Sequence, residues 1–64
     1  MHANDVVRIH KESLYSTFKF IDDQKVTANN VEYVDDNTVL VNEVVLINLS
    51  NVKTVTYAKE GSKI

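Results

Sequence analysis

"FIDDQKVTANNVE" runs from Phe20 to Glu32, and "YVDDNTVLVNEVV" follows it from Tyr33 to Val45. Both open with an aromatic residue, a β-branched residue, two aspartates, an amide, a variable position and a valine. A third and poorer copy, "LINLSNVKTVTYA", starts at Leu46 after the same 13-residue offset. Val26, Val39 and Val52 fall in one column, and Asn29 and Asn42 in another. Valine and asparagine are abundant here, so chance competes with duplication. The units are also shorter than those of repeat proteins. The pattern predicts strands of regular length separated by turns rich in Asp and Asn. These residues bond to nearby backbone and tolerate left-handed conformations. They stand in for glycine, of which the chain has one, Gly61.

Working outward, the remaining breaks are Asn29–Asn30, Asn42–Glu43 and Ser50–Asn51. Between them Val, Ile, Thr, Tyr and Phe alternate, as suits a pleated, half-buried surface. Phe18 and Phe20 share one face, Lys19 and Ile21 the other; Val39 and Val41 share a face, as do Val45, Ile47 and Leu49. Strands are expected at about 14–21, 25–34, 38–42, 44–49 and 52–58. The expected fold is all-β, a small antiparallel meander of five to six strands. Residues 5–12 read two ways. Asn4 or Asp5 can cap a short helix carrying Val6, Ile9, His10 and Leu14 on one side. "VVRIHK" also alternates, and its β-branched residues favour a strand, which is the reading preferred.

The chain of 64 residues holds one domain, 1–64, with 1–4 and 59–64 expected to fray. A domain this small is marginal. With no cysteine, neither a disulfide nor a thiolate metal site can staple it, which leaves a homodimer or other homo-oligomer, or efficient packing. The start lacks a basic segment followed by an apolar run, and the longest apolar run is Val44–Ile47. A soluble, cytoplasmic protein with no membrane association is expected.

The net charge of −2 conceals an asymmetry. Residues 20–43 hold Asp22, Asp23, Glu32, Asp35, Asp36 and Glu43 against Lys25 alone, a balance of −5, and the rest of the chain carries +3. That argues against a basic nucleic-acid-binding surface in the middle of the chain. The plain alternative is a solvated rim. If the chain reverses twice between Asp23 and Asp35, both aspartate pairs share one rim; if once, they are separate turns.

Residues 16–57 resemble Sm-like proteins, a family of small SH3-like barrels. Asp23–Gln24–Lys25 matches the turn of the family's first motif, Asn29 its glycine position, Val31 and Val34 its apolar positions, and Asp35 its aspartate. "VVLINLSNVKTV" is similar to the family's last two strands. The resemblance implies a small barrel and, in the family, an RNA-binding ring. Here Val39 stands at the family's RNA-contacting Asn, and Asn48–Leu49 at its Arg-Gly pair.

Catalysis is not expected. His2 and His10 are the only histidines, and no phosphate-binding glycine loop is present. Neither Asp–Asp pair has the spacing of a calcium loop, so no metal or cofactor is expected. The surface is what remains. Asp22, Asp23, Asp35 and Asp36, with Glu32 and Glu43, are the candidate contacts for a basic protein partner, one that could itself bind nucleic acid. Tyr15 and Tyr57 join them because tyrosine is enriched at interfaces. The expected function is a non-catalytic regulator or inhibitor that covers its partner, by nucleic-acid mimicry in its sharper form. Direct DNA binding is not expected, and an RNA-binding Sm-like oligomer is the alternative.

Overall fold

The computed structural model describes residues 1–59, and Glu60 to Ile64 lie outside them. The first element is a helix, α1 (Ala3–Lys11), which corrects the preference for a strand. Ala3, Val6, Val7 and His10 are its buried residues. Their spacing of three, four and seven residues makes one apolar stripe. Packing that stripe on the sheets outweighs the modest helix cost of β-branched side chains. Ile9 is half-buried, and Leu14 lies exposed in the first strand instead of on the helix. The N-cap residue, His2, makes no side-chain hydrogen bond to the helix start. The backbone N–H of Ala3 instead donates to the carbonyl of Asp36 at 3.0 Å. At the other end Ser13 Oγ donates to the Ile9 carbonyl at 2.8 Å.

Six strands follow: β1 (Ser13–Phe20), β2 (Lys25–Ala28), β3 (Val31–Asp35), β4 (Thr38–Val41), β5 (Val45–Asn48) and β6 (Val52–Lys59), with a 3-10 turn at Leu49–Asn51 before the last. They form two antiparallel three-stranded sheets, ordered β2-β1-β6 and β3-β4-β5. Among the described residues no strand of one sheet pairs with a strand of the other, so the barrel is not closed. The expected strand 25–34 is interrupted at Asn29–Asn30. There the two backbone N–H groups donate to Asn42 Oδ1, at 2.9 and 3.3 Å. Asn42 also donates from Nδ2 to the Thr27 carbonyl at 3.1 Å. One side chain thus satisfies the backbone where the chain passes from sheet to sheet, joining the two asparagines that shared a column in the sequence. Asn42→Ala is expected to lose about 1–2 kcal/mol, read from urea denaturation, because three bonds vanish and alanine resists the positive φ of 53°.

The thirteen-residue echo is a series of Asx turns. Asp22 Oδ1 accepts from the Gln24 N–H, Asp35 Oδ1 from Asn37 and Asn48 Oδ1 from Ser50, each two residues on. The valine column faces inward. Val39 and Val52 are buried, and Val26 packs against the same core, which is made of Ala3, Val6, Val7, Phe18, Ala28, Val31, Val41, Ile47 and Leu49 besides.

Candidate surface for a protein partner

The two aspartate pairs punctuate hairpins of different sheets. Between Asp23 and Asp35 no hairpin forms: β2 and β3 do not pair, and the chain crosses from one sheet to the other. The two pairs therefore belong to separate hairpins, β1–β2 and β3–β4. Within each pair the first Asp closes its turn. The second reaches further. Asp23, at φ 72°, accepts from Lys53 Nζ at 2.8 Å, with Lys19 Nζ at 3.8 Å. Asp36 accepts from the Tyr33 hydroxyl at 2.9 Å. The ion pairs of Asp23 are solvent-exposed, so each contributes little to stability, about 0–1 kcal/mol.

Glu32 lies exposed on β3, and Glu43 sits in the β4–β5 turn at φ 67°. Tyr15 is exposed on β1. Tyr57 is half-buried on β6; that burial, with Asp5 nearby, raises its phenol above the usual tyrosine range, against a smaller opposing effect of Arg8. The structure thus leaves the eight candidates spread over both sheets.

Tyr33 was not among them. Its hydrogen bond to Asp36 holds the phenol protonated above the usual range, reinforced by partial desolvation and by the charges of Asp36 and Asp35. The raised folded-state value makes this contribution to stability present below the ordinary tyrosine range and lost as pH rises through the folded value. Asp36→Asn is expected to move the Tyr33 titration down toward the ordinary range, followed by NMR of the ring carbons. An unchanged titration would separate the tyrosine from the carboxylate.

Sorting charge by sheet sharpens the sequence asymmetry. Residues 31–48, the β3-β4-β5 sheet with its turns, carry Glu32, Asp35, Asp36 and Glu43 and no lysine or arginine. The β2-β1-β6 sheet, residues 13–28 and 52–59, carries Lys19, Lys25, Lys53 and Lys59 against Asp22 and Asp23.

A surface that sequence reasoning missed lies on β5. Val44 is 80% exposed, Leu46 66% and Val45 40%. Glu32, Leu40 and Leu46 are cross-strand partners in one row. Val31, Val39, Val41 and Ile47 are buried, so that row faces away from the core. Run together as Val44–Val45–Leu46–Ile47, these residues read as a core strand. The available signal was their position at the end of a sheet, which a sequence does not display.

His10 Nδ1 and Ser16 Oγ share a buried hydrogen bond of 2.6 Å. Ser16 has no exposed surface and His10 very little. Val39, at the position of the Sm-like RNA contact, is fully buried. Asn48 ends β5, its side chain accepting from the Ser50 N–H, and Leu49 is core. Among the described residues no group of three or more His, Cys, Asp or Glu could hold a metal ion, and no helix is long and apolar enough to cross a membrane. A surface depression of about 620 Å³ beside α1 is lined by Asn4, Asp5, Val7, Arg8, Lys11 and Tyr33, among others, with both charge signs represented.

No family model matches the chain, and no curated protein or solved structure was found to match it.

Proposed function

We propose that this protein is a non-catalytic cytoplasmic module that binds a basic protein through its β3-β4-β5 sheet, acting as a regulator or inhibitor by covering its partner. One observation carries the reading: every formal charge on that sheet is negative, beside an exposed apolar strand. Acidic surface steers a basic partner and sets specificity, while apolar surface supplies affinity. Nucleic-acid mimicry has less behind it, because the four aspartates serve separate hairpins and two of them, Asp23 and Asp36, are engaged by Lys53 and Tyr33.

The test is affinity capture from a cell lysate with mass spectrometry, comparing the native chain with a folded variant carrying Glu32→Gln, Asp35→Asn, Asp36→Asn and Glu43→Gln. Basic proteins should be retained by the native chain, be released as salt rises above ~0.15 M, where screening acts within about 8 Å, and be lost with the variant. Equal capture by both removes the acidic sheet from the function.

A second reading, an RNA-binding Sm-like oligomer, draws on the opposite sheet. Thr27, Thr17 and Thr56 form one cross-strand row and Lys25, Lys19 and Thr54 the next. Lys19 and Lys25 are direct neighbours of like charge, an unfavourable pairing that an anion would relieve. A gel shift with RNA at ~0.15 M salt, together with a ring-sized mass by light scattering, would favour it over the first reading.

A further inference from the structure

Four strands lie at sheet edges: β2, β3, β5 and β6. Exposed edges invite pairing with other chains, and proteins commonly guard them with charge. Lys25 guards β2, Glu32 and Asp35 guard β3, and Lys53 and Lys59 guard β6. β5, Val45–Asn48, has no charged residue, and Val44 before it is the most exposed of the large apolar side chains among the described residues.

The backbone of this edge is oriented for pairing. The Leu49 N–H donates to the Asn37 carbonyl at 2.7 Å, continuing the β4–β5 register in which Thr38 faces Asn48. Backbone groups alternate in direction along an antiparallel ladder. Val45 and Ile47 therefore point their N–H and C=O groups at β4, and Leu46 and Asn48 point theirs outward. Among the described residues no strand pairs with that outer edge.

We propose that β5 receives an extended basic segment of a partner protein as a fourth strand of the acidic sheet. This rests on the function proposed above and specifies how the partner is held. Charge selects the occupant. Glu43 stands at the entrance to β5, and Glu32, Asp35 and Asp36 supply the rest of a field with no positive charge on the same sheet. An added strand places alternate side chains on the two faces. Basic ones lie beside Leu46 on the outer face, the face of Leu40 and Glu32, and the intervening apolar ones lie on the face of Val45 and Ile47.

The experiment is amide hydrogen exchange by NMR on the full chain, with a blocked peptide of alternating lysine and valine as probe. A glutamate–valine peptide serves as the charge control, and Leu46→Lys as an edge-guarded variant. Slowing of exchange by about tenfold or more at the Leu46 and Asn48 amides is expected with the lysine peptide. No slowing is expected with the glutamate peptide or with the variant, whose spectrum should otherwise remain that of the folded protein. Binding that leaves those two amides unprotected overturns strand addition while leaving the acidic-surface function standing. Equal protection by both peptides overturns selection by charge, and no binding of the lysine peptide overturns the proposal. It is equally overturned if the two amides are already protected in the free protein. Protection independent of concentration would place residues 60–64 of the same chain on the edge, and protection that grows with concentration would place a second copy there.

Discussion

Phe18→Ala is expected to abolish cooperative folding at room temperature. Phe18 has no exposed surface and is the largest fully buried side chain among the described residues. It sits mid-sheet on β1, paired with Val26 on one side and Val55 on the other, and belongs to the same core as the helix stripe. Truncating a buried phenylalanine costs about 3–5 kcal/mol, through lost burial and the cavity left behind. At roughly 0.05–0.15 kcal/mol per residue, a chain of this length has only about 3–10 kcal/mol in all. Urea denaturation followed by circular dichroism should show a clear transition for the native chain and little or none for the variant. Phe18→Leu, which keeps much of the volume, should fold with a loss of about 1–2 kcal/mol. A Phe18→Ala variant with an unchanged urea midpoint would mean that Phe18 is not at the centre of the core.

His10→Ala should be the next most damaging change, at about 2–4 kcal/mol. Part of this is the buried ring itself. The rest comes from Ser16, whose hydroxyl is left in the interior without its partner; an orphaned buried polar group costs about 1–3 kcal/mol. Ser16→Ala leaves the imidazole nitrogen in the same position and should lose about 1–3 kcal/mol for the same reason. The distinguishing result is non-additivity. In the double variant neither orphan remains, so its loss should fall short of the sum of the single losses by about 1 kcal/mol or more, a coupling expected only of groups in contact. Simple additivity in the double-mutant cycle would show that the 2.6 Å hydrogen bond carries no stabilisation.

The same bond shows why residues 5–11 form a helix although their sequence favours a strand. "VVRIHK" satisfies both periodicities locally, and the β-branched residues favour the extended form. What decides for the helix is the use of His10 and Val6–Val7. As a helix the segment places Ala3, Val6, Val7 and His10 on one stripe, buries them together, and brings the imidazole to a serine on β1. That benefit comes from a surface made by residues distant in sequence, so no local window could display it. The strand at 25–34 failed for a related reason. Its β-rich composition was read correctly, but its interruption depends on an Asn42 side chain more than ten residues away.

The candidate surface divides along the same line. That Asp22, Asp23, Asp35 and Asp36 occupy turns was legible, because Asp and Asn signal turns through bonds to residues two positions on. Whether they share a rim was not, since that depends on which sheet each hairpin joins. The charge asymmetry was visible as a difference between segments. Only sheet membership turned it into a surface, by collecting Glu32, Asp35, Asp36 and Glu43 on one sheet and four lysines on the other.

By itself, then, the sequence determined what is local: alternating strands, Asx-rich turns at a constant interval, a column of valines at Val26, Val39 and Val52, and the scarcity of glycine in the turns. Tertiary structure decided what depends on non-local contact. It made the first segment a helix, parted the strands into two sheets, joined Asn29 to Asn42, and left Val44 and Leu46 outside a core they resemble in composition. The physical reason is range. A turn is set by bonds spanning two residues, whereas burial depends on which distant surfaces come together, and for β5 no strand among the described residues covers its outer edge.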